Sequence, residues 1–296
     1  MNNRFLDPSG LARITHMEFI ARQVVEGFIS GRHRSPYHGF SVEYADHRPY
    51  APGDEPRMID WKVLARSDKY YVKLFEEETN LRAHLLFDAS RSMAFKWADR
   101  PDKFTYGAFL TAALSYLLIR QNDSVGLSIF DSKVRKVLPP RSTPVQFRRI
   151  LDALGESASE EDTAIAPILH ELADRARGRG LVILVSDMID DVGEMMSGLQ
   201  HLRHRRHEVI VFHLVDPAER DFPFERASRF HDMEGGGRLS AHPKALRAKY
   251  LERYQAYLDR LAEECHRNRI AHHLVSTDEP YERFLGGFLE KRARLG

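Results

Sequence analysis

Cysteine is almost absent from this sequence, with Cys265 standing alone among 296 residues. One thiol can form neither an intramolecular disulfide nor a Cys-rich zinc centre, and such scarcity suits a reducing compartment. Cys265 lies in a helical pattern and is expected to be a small buried side chain rather than a nucleophile. A dominant charge is also lacking. Lys and Arg total 44 against 43 Asp and Glu, so the formal net charge of +1 creates no overall field for nucleic acid or an anionic membrane. The pairs Arg148-Arg149 and Arg203 to Arg206 are too small for a nucleic-acid stripe without an aromatic platform. No apolar run approaches the ~20 residues needed to span a bilayer. Residues 1–10 lack the basic and apolar regions of a secretion signal. The expectation is a soluble cytoplasmic protein without membrane insertion.

Phosphate-loop chemistry is missing too. Gly235-Gly236-Gly237 has no following Lys-Ser/Thr and no strand-before, helix-after context, so any ATP hydrolysis must belong to a partner. The histidines do not fill the gap. His201, His204 and His207 are spaced at i, i+3 and i+6, which spreads them over about 240° of a helix, and a solvated basic helix end is expected. His272 and His273 are neighbours on a strand and point to opposite faces.

What is present is a regular alternation. Apolar residues from Leu11 to Phe28 recur at helical spacing. A stretch rich in His, Arg, Pro, Tyr and Gly follows over 31–54, with turn signals at Arg34-Ser35-Pro36 and Pro52-Gly53-Asp54. Residues 70–74 form a short strand candidate, and Glu76 to Glu78 an acidic cluster before the next strand. From there strands are expected at 81–87, 125–130, 134–138, 181–185, 209–215 and 270–276. Helices are expected at 104–119, 144–154, 165–177, 192–204, 243–268 and 281–291, with a small hairpin at 228–241. This frequency of alternation argues for a mostly parallel sheet with helices on both faces. The length allows one large α/β domain with an appendage, divided here as a block over 1–79 packed on a main domain over 80–296.

The first strand of the main domain ends in Asp88-Ala89-Ser90-Arg91-Ser92. Ligands of a doubly wound sheet collect at the carboxyl ends of its strands. An Asp and two hydroxyls at alternate positions there offer hard oxygen donors, which suit Mg²⁺, or Mn²⁺ or Ca²⁺, and not zinc. Two further donors fall at comparable places: Asp187 after the strand at 181–185, and Thr163 before the helix at 165–177. Each has a plainer explanation as a helix cap.

Asp88, Ser90, Ser92, Thr163 and Asp187 resemble, in order and spacing, the metal-ion-dependent adhesion site of von Willebrand factor A domains. Upstream, Gly39-Phe-Ser-Val-Glu-Tyr44, Arg48-Pro-Tyr50, Pro52-Gly-Asp54, Ile59-Asp-Trp-Lys62 and Ala65-Arg66 resemble the bacterial family called domain of unknown function 58. The segment from Tyr71-Val-Lys73 to Glu76-Glu-Glu78 continues that match, so the resemblance covers nearly the whole chain. It implies a Rossmann-like von Willebrand factor A domain with an N-terminal helix and an extended family-specific block. It further implies partnership with a MoxR-type AAA+ ATPase in protein maturation or assembly. The same resemblance implies Ser90 and Ser92 as direct ligands of one divalent ion. Asp88, Thr163 and Asp187 would act directly or through water, and a partner carboxylate would complete the site.

In the upstream block, Trp61 and the tyrosines are expected to pack against the main domain while Arg and Asp pair across it. The other reading makes Arg48, Asp54, Asp60, Trp61, Lys62 and Arg66 a partner-binding surface. For the metal loop a binding role is expected rather than catalysis. A phosphohydrolase using Asp88 as nucleophile would want an acid two residues on, where Ser90 stands. A structural A domain with an empty site is the remaining alternative.

Overall fold

A computed structural model describes residues 15–23, 25, 39–51, 59–67, 69–79, 81–157, 165–176, 178–225, 228–231 and 238–293. The chain divides into two compact units, residues 37–81 and residues 1–36 with 82–296.

The smaller unit is an antiparallel ribbon. Strand β1 (Gly39–Pro49) pairs with β2 (Tyr71–Thr79), and helix α1 (Trp61–Ser67) lies in the connection between them. This departs from the expected irregular stretch over 31–54. The acidic residues Glu76 to Glu78 precede the next strand, Arg82–Asp88, as expected, and they also extend the strand read at 70–74. The partner of each strand lies about thirty residues away, so local turn signals gave no hint of the pairing. A two-stranded ribbon also accepts charge that a central strand would not. Asp60 accepts from the Val63 backbone N–H at 3.3 Å and so caps α1.

In the larger unit the chain alternates as the periodicity predicts. Its elements are β3 (Arg82–Asp88), α2 (Lys103–Arg120), β4 (Ser124–Phe130), β5 (Val134–Arg141), α3 (Pro144–Glu156), α4 (Ile165–Arg175) and β6 (Leu181–Ser186). Then come α5 (Val192–His204), β7 (Glu208–Val215), α6 (Pro217–Asp221), the hairpin β8 (Ser228–His231) and β9 (Arg238–Ala241), α7 (Pro243–Arg267), β10 (Ala271–Ser276) and α8 (Tyr281–Ala293). The sheet order is β10-β7-β6-β3-β4-β5. All neighbours are parallel except β4 and β5. Pro139 and Pro140 lie in β5, an edge strand, where a missing N–H costs no ladder bond on the open side.

Alternate residues of the central strands serve two cores. Leu86, Val182, Leu184, Val209 and Val211 pack with the apolar faces of α4 and α5. Phe87 points the other way, its ring edge-on to Phe104 of α2 at 5.2 Å. Helix α2 sits so close that a Cβ on Gly107 would lie 2.8 Å from a Leu214 methyl and 3.1 Å from the Phe87 ring. The helical residues 15–23 belong to this unit rather than to an N-terminal block: Met17 and Ala21 are buried, and the His16 ring meets Phe109 edge-on at 5.6 Å.

Strand order sets the position of the site. From β3 the chain builds outward through β4 and β5, then crosses back to build β6, β7 and β10 on the other side. The connections therefore diverge between β3 and β6, opening a crevice at their carboxyl ends.

Candidate metal centre

Asp88 ends β3, and its carboxylate is fully buried. Oδ1 accepts from the Ser90 backbone N–H at 2.9 Å, which folds the loop back over the strand end. Oδ2 accepts from the Ser186 hydroxyl at 2.6 Å, tying β3 to β6. Ser186 in turn accepts from the Met188 N–H at 2.9 Å. The Ser90 and Ser92 hydroxyls lie 3.0 Å apart, and both residues are buried. A short 3-10 turn, Arg91–Ala94, carries Ser92 inward.

Asp187 follows β6 and is buried beside this loop. It does not cap the next helix: Asp191 does so, accepting from Glu194 N–H at 2.9 Å. The plainer explanation for Asp187 is thereby removed. Thr163 lies outside the described residues. Ile165, just beyond it, donates its N–H to Asp190 Oδ2 at 3.0 Å, which joins the start of α4 to the loop after β6.

The centre also contains a cation that sequence reading missed. Lys103 is fully buried, and its ammonium donates to Asp187 Oδ2 at 2.8 Å and to Glu219 Oε1 at 2.6 Å. Glu219 Oε2 accepts from Asp216 N–H at 2.8 Å within the capping box of α6. Asp216 Oδ2 also accepts from Trp97 N–H at 3.1 Å, so one polar chain runs from the metal loop to an exposed tryptophan. Lys103 is the first residue of α2, where the helix dipole disfavours a cation. That mismatch was the available signal, since a lysine opening an apolar helix needs anionic partners from elsewhere.

Charges respond accordingly. The Asp88 carboxyl is pushed up to about 7, by burial first and the Asp187 charge second, against the hydrogen bonds from Ser186 and Ser90. Burial acts to lower Lys103, but Asp187 and Glu219 outweigh it and raise the ammonium above its ordinary range. Burial raises Glu219 despite Lys103 beside it. Among the described residues no group of three or more His, Cys, Asp or Glu could hold a metal. The donor set here is instead two carboxylates and two hydroxyls, and a buried carboxylate pushed toward neutrality is one that lacks positive charge. These residues fit a hard divalent ion.

The other expected residues fall differently. Trp61 and Arg66 are exposed on the smaller unit. Arg48 lies in β1 opposite Val72. Asp54 and the side chains of Arg48 and Lys62 lie outside the described residues. His207, expected on a solvated helix end, is fully buried with its ring edge-on to His84 at 5.8 Å. His272 and His273 do face opposite ways, His272 to His213 at 3.2 Å and His273 to Phe284 and Phe288. Cys265 is buried on α7, and burial pushes its thiol up to about 12.

A mostly parallel sheet flanked by helices, with a polar loop at its switch point, defines a Rossmann-like α/β domain. Residues 46–258 match the family described as protein of unknown function DUF58, and the chain belongs to that family. Proteins from Mycobacterium bovis and Mycobacterium tuberculosis, both described as uncharacterised, are 25% identical over 235 residues, covering 78% of this chain and 73% of theirs. Among solved structures, the conserved hypothetical protein BatB of Bacteroides thetaiotaomicron aligns with a TM-score of 0.47 at 16% identity, over 72% of this chain and 99% of its own. An aerotolerance-related membrane protein of Bacteroides fragilis aligns with a TM-score of 0.49 at 15% identity, over 73% and 100%. Among the described residues, no helix of this chain is long and apolar enough to cross a membrane.

Proposed function

We propose that this chain is a cytoplasmic protein-binding module, not an enzyme, and that it engages its partner through a divalent ion at the β3–β6 crevice. The observation that carries this reading is the convergence of Asp88, Ser90, Ser92 and Asp187, all buried, at the switch point of the sheet. Ser90 and Ser92 would hold the ion directly, while Asp88, Asp187 and Thr163 would act directly or through water. Mg²⁺ is the expected ion, with Mn²⁺ or Ca²⁺ as substitutes. Held by neutral hydroxyls, such an ion retains positive charge and supplies an attachment point for a carboxylate. The family resemblance makes a MoxR-type AAA+ ATPase or its client the proposed source of that carboxylate.

Against catalysis, both Asp88 oxygens are engaged by Ser90 and Ser186, and no acid stands at position 90 to protonate a leaving group. A structural domain without an ion is the second reading, and one observation favours it: Lys103 already offsets Asp187. Partner capture decides between them. Immobilised protein should retain the co-expressed ATPase or its client in Mg²⁺ and release it in chelator. A well-folded variant with Ser90→Ala and Ser92→Ala should retain neither. Capture indifferent to both chelator and the double substitution would refute the metal-bridged reading.

A further inference from the structure

We infer that Lys103 is a resident counter-cation of the centre and sets its divalent affinity by competing for Asp187. The inference rests on the proposed metal site and goes beyond it, because Lys103 belongs to neither the Asp88 loop nor the β6 loop. Its ammonium is fully buried at the first position of α2, against the helix dipole, and is held there by Asp187 and Glu219. Lysine is almost never fully buried without such pairing.

Counting charges shows what this does. Asp187 and Glu219 both bond the single ammonium, so Lys103 offsets one of their two charges and leaves negative charge beside Asp88 for an ion. An ion that approaches Asp187 meets an ammonium already bound to Oδ2 at 2.8 Å, so it encounters both repulsion and an occupied oxygen. The result is a moderate, reversible site in which Asp187 is shared. Glu219 is the second anchor. At 2.6 Å it holds the ammonium when Asp187 turns to the ion, and it is itself fixed by the Asp216 N–H.

Opposite responses from two neighbouring residues separate this role from a merely structural one. Calorimetric titration of Mn²⁺ into chelator-treated protein should show Lys103→Met binding about tenfold tighter or more than wild type. Glu219→Gln should bind several-fold more weakly, because Lys103 then depends on Asp187 alone. Near-ultraviolet circular dichroism checks that each variant is folded. A folded Lys103→Met that binds no tighter than wild type overturns the inference while leaving the metal site standing. Should Lys103→Met fail to fold, unchanged affinity in Glu219→Gln overturns it equally. Absence of Mn²⁺ binding in wild type and Lys103→Met alike overturns both the inference and the metal site.

Discussion

At one end of β3 the Asp88 carboxylate is buried among hydroxyls, with the Lys103 ammonium reaching the neighbouring Asp187. Four residues earlier on the same strand, His84 lies against the fully buried His207 with no ion pair, and His84 Nε2 has no hydrogen-bond partner among the described residues. One strand therefore ends in buried charge and begins beside buried neutral rings. At the carboxyl end the price of burial is met by counter-charge. At the amino end it is avoided, since burial, then His207 and Arg82, bring His84 down to about 4 and keep it uncharged at neutral pH. Ion pairing governs the Asp187–Lys103 contact at one end, and the loss of charge on burial governs His84 at the other.

The largest expected effect breaks the carboxyl end. Lys103→Met leaves Asp187 and Glu219 without their cation, and urea unfolding of the metal-free variant at pH 7.5 should show a loss of about 3–5 kcal/mol. His84→Leu under the same conditions should change stability by no more than about 1 kcal/mol. Equal losses would erase the contrast.

Next in size is an acid effect at His84, at the amino end. The His84 ring has a folded pKa below its ordinary 6.5, so the unfolded chain binds more protons there. Its contribution is complete above pH 6.5 and is lost as pH falls toward about 4. His84→Leu should reduce that acid loss by about 2 kcal/mol, measured as unfolding free energy across this range. His273 on β10, also lowered to about 4 by burial, keeps part of the acid sensitivity in the variant.

A smaller effect sharpens the comparison. The Ser90→Ala and Ser92→Ala pair removes two hydroxyls that bond to each other, and the metal-free fold should lose only about 1 kcal/mol. The same variant should lose all Mg²⁺-induced rise in melting temperature. Smallest of all, Arg205→Ala at the amino end breaks an exposed pair with Asp174 and should cost less than about 0.5 kcal/mol by urea unfolding.

The sheet was legible because its strands are short β-branched and leucine runs between amphipathic helices. Residues 181–185 and 209–215 carry a fully buried pattern that helices on both faces require. The ribbon of β1 and β2 was not, because its pairing spans a connection that local pattern cannot cross. Of the centre, Asp88, Ser90, Ser92 and Asp187 were readable from their positions at strand ends. Ser186 reads only as the last residue of a strand, with no sign that its hydroxyl bonds Asp88, and Lys103 as a surface lysine at a helix start. Their roles depend on β6 and α6 meeting β3 and α2 in space. His207 was misplaced for a related reason: Arg203, Arg205 and Arg206 mark a solvated turn, yet the next residue starts inward toward β7.

The most direct test is calorimetric titration of Mg²⁺ into chelator-treated wild-type protein beside the Ser90→Ala, Ser92→Ala variant. The account predicts one divalent ion bound per chain by wild type and none by the variant, with both folded. Equal binding by the two proteins, or none by either, would contradict it.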